Sequence, residues 1–203
     1  MKNKYARRSR ISEAKFRDLI RCFALDLDAC QIAAMTRLNR NTVNRYLHGV
    51  RERIAEHCAG EGAAGGVGRD EAGRPGMLLF GVRRQEGQIR AEVAEACSRA
   101  VSGLSPRAKT LPEAIGEAVP CRAYDGIIDL ERGKCFVFRP EAAAGPGGVE
   151  TFWSFAKRRL AKFNGLPRDA MFLHLKECEF RFNRRGEDLY AMILELLRAR
   201  PLN

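Results

Sequence analysis

Seven glycines fall within residues 59–76, a stretch without apolar periodicity, and this break limits what the rest of the chain can become. Glycine leaves the unfolded backbone the most freedom, and a segment with little to bury has nothing to offset the loss of it. No helix or strand is expected to run through such a segment, so the residues on its two sides must fold as separate pieces. At 203 residues the chain has room for one ordinary domain and a small one. A second break, Ala142 to Gly148, separates the middle of the chain from its last third.

Charge follows the same partition. The formal net charge is +11, but residues 1–53 hold 13 Lys and Arg against 5 Asp and Glu, and residues 150–185 hold 9 against 4. Residues 54–149 are near neutral, with 12 against 13. Two basic blocks around a neutral middle read as two nucleic-acid contacts, the plainer account of the first being a solvated tail. No run of 18 apolar residues is present, so no transmembrane helix is expected, and the basic start is not followed by the apolar core of a signal peptide. The seven cysteines are scattered without a Cys-x-x-Cys pair, and the three histidines do not cluster near them. That argues against a zinc site and for reduced thiols in a cytoplasmic protein.

Residues 1–58 carry three helix signals. Phe16, Leu19, Ile20 and Phe23 form one buried stripe. Asp28, with Gln31 three residues on, is a capping box for a second helix through Ile32, Ala33 and Met35. Asn39 caps a third, in which Val43, Leu47, Val50 and Ile54 face inward while Asn41, Asn44, Arg45 and His48 form the opposite stripe. Three short helices with Asn and Arg outward on the last read as a helix-turn-helix. Asn matches adenine edges, and Arg matches guanine edges or phosphate. With Arg40, these residues are the first candidate set for double-stranded DNA. A generic three-helix bundle with solvating charges is the alternative.

Beyond the linker the pattern changes to strands. MLLFGVRR (77–84) and QIRAEV (88–93) flank a Gln85-Glu86-Gly87 turn, and IIDL (127–130) and CFVF (135–138) flank Glu131-Arg132-Gly133. Residues 94–120 are weakly helical and interrupted by three prolines. After Gly148, apolar residues recur at Val149, Phe152, Trp153, Ala156, Leu160 and Phe163, the spacing of a helix with one buried face carrying the only Trp. Lys157, Arg158, Arg159 and Lys162 lie off that stripe and make the second candidate set for DNA. Two more helices are expected, at roughly 168–184 and 187–199. His174 and Cys178, four apart, read as a surface or interface imidazole and a packed thiol rather than as ligands, and Tyr124 as a core aromatic at a strand entry.

The run Gly148-Val149-Glu150-Thr151-Phe152-Trp153, with LAKFNG (160–165), HLKECEFRFN (174–183) and EDLY (187–190), resembles the bacterial insertion-sequence transposases of the ISXO-like group. The likeness also touches Leu79-Phe80-Gly81 and the Arg122–Asp129 run. It implies an α/β fold: a helix-turn-helix module (1–58), a linker (59–76) and a ribonuclease-H-like catalytic domain (77–203) ending in helices. It also implies that Glu150 is the third acidic ligand of a DDE triad. Such a triad holds two Mg²⁺ ions about 4 Å apart and cuts and joins DNA at the element ends. Homo-oligomerisation is compatible with this.

The chain departs from that pattern at the other two ligands. The family's first Asp belongs to a strand where this chain has its glycine-rich linker, and its second falls where this chain has Val119-Pro120-Cys121. A metal pair needs carboxylates from separate strands, since one cannot place or neutralise both ions. The expectation is a degenerate copy of a transposition protein that binds DNA with an incomplete triad. Two alternatives stay open: a triad rebuilt with Asp70, Asp125 or Asp129, and a DNA-binding regulator that keeps only the helix-turn-helix function.

Overall fold

A computed structural model of the chain describes residues 3–59, 79–98, 101, 121–138, 145, 147–163 and 167–203. The expected linker, apart from Ala59, and most of the weakly helical 94–120 segment lie outside the described residues. The chain divides into two compact units: Met1–Glu61 with Arg184–Asn203, and Gly62–Asn183.

The first unit is helical. α1 (Glu13–Ala24) starts at Ser12, whose hydroxyl accepts the Lys15 N–H, and it buries Phe16, Leu19, Ile20 and Phe23. α2 (Ala29–Thr36) opens with the expected capping box: Asp28 accepts the amides of Cys30 and Gln31, and Gln31 accepts the Asp28 N–H. It stops at Arg37, a non-glycine residue in the left-handed region. Met35 is exposed, and Thr36 takes the inward place by donating its hydroxyl to the Ile32 carbonyl at 2.7 Å. Asn39 Oδ1 accepts the Asn41 N–H at 2.8 Å and so begins α3 (Arg40–Ala59), with Val43, Leu47, Val50 and Ile54 buried.

The C-terminal helix corrects the sequence reading of the domains. α6 (Leu189–Ala199), expected to close the 77–203 domain, packs instead on α1 and α3 through Ile193 and Leu197. The two ends of the chain then meet. Ala6 and Leu202 form a parallel bridge in which Leu202 donates to Tyr5 O and Arg7 donates to Leu202 O. Tyr5 and Ala6 are buried, so this part of the basic N-terminus is built into the fold rather than left as a tail.

The second unit is a four-stranded antiparallel sheet ordered β2-β1-β3-β4. Its strands are β1 (Leu79–Gln85), β2 (Gln88–Val93), β3 (Gly126–Asp129) and β4 (Lys134–Val137). The first hairpin turns on Glu86 and Gly87, both at positive φ, the geometry whose twist suits a two-residue hairpin. The second pairs one residue earlier than the apolar runs alone imply. Asp129 Oδ1 accepts the Arg132 N–H and Gly133 takes a positive φ, which closes the turn between Asp129 and Lys134.

Gly81 admits the Tyr124 ring, which a Cβ there would meet at 2.4 Å. Tyr124 packs, as expected, against a cluster of Leu79, Ala94, Cys97, Val101, Cys121 and Ile127. Within that cluster the Cys121 and Cys97 sulfurs lie 2.7 Å apart, a pairing that their sequence separation concealed. Burial and this neighbour push the Cys97 thiol up to about 12.

α4 (Val149–Leu160) and α5 (Arg168–Asn183) complete the unit. α5 is buried along most of its length although it carries Lys176, Glu177, Glu179 and Arg181. Glu177 Oε1 accepts from Arg159 Nη2 of α4 and from Arg181 Nε, both at 2.8 Å. Glu179 Oε2 accepts from Lys176 Nζ at 2.8 Å and from the Ala91 amide at 3.0 Å. Asn183 accepts the Ile89 N–H and donates to the Ile89 carbonyl. One helix turn separates Glu179 from Asn183 and two strand residues separate Ala91 from Ile89, so the side chains of α5 close the open edge of β2. Burial raises the Glu179 pKa, and Lys176 opposes that shift. Among the described residues, no helix is long and apolar enough to cross a membrane.

Glu177→Ala should destabilise the second unit by about 3–5 kcal/mol, because it leaves Arg159 and Arg181 buried without their carboxylate. Replacing all three residues with apolar ones of similar size should cost far less. Denaturant unfolding followed by the fluorescence of Trp153 checks both; equal losses in the two variants would show that the network is not what holds α4 to α5.

Candidate nucleic-acid interface

In the first unit, α3 separates its two faces cleanly. Val43, Leu47 and Val50 are buried, whereas Arg40, Asn41, Asn44, Arg45 and His48 are all exposed on the other side. The separation follows from the 3.6-residue repeat and from a core that α1, α2 and α6 supply on one side only. Arg45 lies against the Tyr46 ring, with its guanidinium carbon 5.1 Å from the ring centroid. His48 is 3.5 Å from Glu52 one turn later. Arg40, Asn41, Asn44 and Arg45 form no ion pair among the described residues, which leaves donors and cations directed to solvent along two turns.

Next to this face is a cavity of about 400 Å³ that the sequence did not reveal. Its walls include Arg7, Arg8 and Ser9 from the N-terminal segment and Arg45, His48 and Glu52 from α3. Arg7 and Arg8 are close to α3 only because Leu202 holds the segment by two backbone hydrogen bonds and Ser9 Oγ lies 2.8 Å from Tyr46 Oη. The available signal was the density of arginine in residues 7–10, with nothing in the linear order to fix where it folds.

The second candidate set divides. Lys157, Arg158 and Lys162 are exposed, but Arg159 is 5% exposed and belongs to the buried network with Glu177. The buried stripe of α4 is Val149, Phe152, Ala156 and Arg159, rotated from the one expected. The same rotation leaves Trp153 and Leu160 half-buried at its margin, so the expectation of a buried Trp153 is also corrected. Apolar spacing alone could not anticipate an inward arginine; the missed signal was Glu177 on the facing helix.

Glu150 is exposed in the first turn of α4, where Gly148 provides no side-chain cap and the helix dipole favours a carboxylate. With Trp153 and Ser154 it borders a cavity of about 440 Å³ whose other walls are Gly133, Lys134, Cys135 and Phe136. Burial, and then the Glu150 charge, push the Cys135 thiol up to about 12.

These neighbours do not fit a magnesium pair: a cation, a protonated thiol and an indole surround one carboxylate. Asp125 and Asp129 do not complete the set. Both are buried, and their carboxylates accept the backbone amides of Arg84 and Arg132, at 2.7 and 3.0 Å. Among the described residues, no three His, Cys, Asp or Glu side chains are grouped as a metal site would require. Asp70 lies outside the described residues. Cys178 is buried beside Arg159, and His174 is buried against the Phe163 ring, which corrects its reading as a surface imidazole.

Comparison with known proteins finds a relative. An uncharacterized transposase-like protein of Haemophilus influenzae is 37% identical over 96 residues, which span 45% of this chain and 77% of that protein. No protein-family model matches the chain. No solved structure matches it either.

Proposed function

Because the chain belongs to the family of transposase-like proteins, we propose that it is a DNA transposition protein that binds duplex DNA through α3 and does not cut it. The observation that carries the first half is the exposed stripe of Asn41, Asn44, Arg45 and His48, opposite a fully buried one. An α-helix fits the major groove, and amide and guanidinium side chains one turn apart match the donor and acceptor pattern of adenine and guanine edges. Three helices joined by short turns, with the last turned outward, are the frame that a helix-turn-helix uses to present such a stripe. Lys157, Arg158 and Lys162 give the second unit an exposed cationic face suited to phosphate contacts that carry no sequence information.

The second half rests on the setting of Glu150. Metal-assisted cleavage of a phosphodiester requires several carboxylates converging on two ions. Here one exposed Glu stands beside Lys134, while Asp125 and Asp129 hold backbone amides inside the sheet. A regulator that keeps only the DNA-binding function fits the same geometry; the two readings differ in whether the DNA recognised lies at the ends of a mobile element.

Replacing Asn44 and Arg45 together with Ala should weaken sequence-specific binding by about 1–3 kcal/mol for each bidentate base pairing removed. A titration at fixed salt with duplexes selected from a random pool measures this; unchanged affinity and unchanged preference would remove α3 from the interface. In a nicking and strand-transfer assay with Mg²⁺ or Mn²⁺, the wild type and Glu150→Ala should both be silent. Cleavage by the wild type that disappears in the variant would contradict the proposal.

A further inference from the structure

We propose that the cavity between the N-terminal segment and α3 seats a backbone phosphate of duplex DNA, held by Arg7, Arg8 and Arg45. The proposal rests on the reading of α3 as the DNA-facing helix and extends it to residues that lie outside the stripe. Charge, rigidity and position each support it independently.

Arg7, Arg8 and Arg45 are exposed and make no ion pair among the described residues, so three guanidinium groups border one cavity with no salt bridge. The remaining cation of the wall, Arg53, is already occupied by Glu56 at 2.7 Å and by the Arg200 and Pro201 carbonyls. The one acidic side chain of the wall, Glu52, faces His48 at 3.5 Å. Guanidinium groups with unfilled donors match the oxygens of a phosphate, which they can hold in a bidentate manner.

A basic arm on a free terminus would lose its freedom on binding, but here that ordering is complete before any ligand arrives. Arg7 donates its own amide to Leu202 O at 2.7 Å, Leu202 donates to Tyr5 O at 2.9 Å, and Ser9 Oγ meets Tyr46 Oη at 2.8 Å. Between those anchors Arg8 is held at a φ of 51°, a conformation that non-glycine residues rarely adopt without surrounding support. A site preorganised in this way binds at lower entropic cost than one assembled on contact.

Arg45 belongs both to the cavity wall and to the outward stripe, one residue from Asn44 and three from His48. A phosphate seated beside Arg45 is therefore adjacent to the side chains that would face bases. Phosphate contacts fix the register of a protein on the duplex, while base contacts read it. Arg7 and Arg8 would act by setting how α3 sits in the groove.

The test compares the full-length wild type, the double variant Arg7→Ala/Arg8→Ala, the double variant Arg7→Lys/Arg8→Lys, and Asn44→Ala. Each is titrated over a range of salt against a duplex selected by the wild type and against a scrambled duplex. The arginines are exposed, so thermal unfolding of the Ala double variant should match the wild type and confirm an intact fold. That variant should lose affinity about equally on both duplexes, on the order of tenfold. The slope of log K against log salt should shrink by about 0.9 for each phosphate that is no longer neutralised. The Lys double variant should recover most of the slope, because the charge is restored, but only part of the affinity. Asn44→Ala should change the preference between duplexes and leave the slope intact. A wild type that selects no duplex from a random pool would overturn both this proposal and the reading of α3. Binding that Arg7→Ala/Arg8→Ala leaves unchanged in affinity and slope would overturn this proposal alone.

Discussion

A buried charge is tolerated only where a partner of opposite sign or a hydrogen bond meets it, and α5 buries four of them on one helix. That requirement organises the second unit. Glu177 needs Arg159, which fixes the rotation of α4; Glu179 needs Lys176 and the Ala91 amide, which fixes α5 along β2. Asn183 adds a pair of hydrogen bonds at Ile89, so an edge strand that would otherwise offer its amides to another chain is closed from within. The position of Glu150 follows, because the α4 that carries it is set by Arg159 on one side and by β4 on the other. The segment His174 to Asn183 thus has an architectural reason for its unusual density of charge.

The helix signals of the first unit were legible because capping and periodicity are local. Asp28, Gln31 and Asn39 act within four residues of themselves, and the stripes of α1 and α3 are complete in the sequence. Among the described residues the strands were legible to within one residue; the shift at the second hairpin came from the Asp129 side chain closing the turn, an interaction that apolar spacing does not register. What escaped detection depends on distant partners. Arg159 reads as an outward cation until Glu177 is brought beside it, and Trp153 reads as core until that same pairing rotates the helix. Likewise, α6 carries an apolar face that could serve any neighbour, and nothing local says that the face belongs to α1 and α3. Arg7 and Arg8 become part of a site only through Leu202, nearly 200 residues away.

The two candidate DNA surfaces differ in kind. On α3, amides and a guanidinium alternate in a pattern able to discriminate bases, and that helix is held by a core to which both ends of the chain contribute. On α4, the exposed groups are Lys157, Arg158 and Lys162, which offer charge without a pattern. Sequence reading by the first unit, with non-specific holding by the second, is a division of labour that these residue types support. It asks nothing of Glu150 as a metal ligand. In its present setting, that carboxylate at a helix start is stabilised by the dipole by roughly 0.3–1 kcal/mol.

Whether α3 faces the DNA can be measured by amide hydrogen exchange of the full-length protein with and without bound duplex. Exchange should slow on binding in residues 5–9 and 40–49, the N-terminal segment and the first half of α3, by more than any change in residues 150–163. Protection confined to residues 150–163, with α3 exchanging as in the free protein, would contradict a DNA-facing α3.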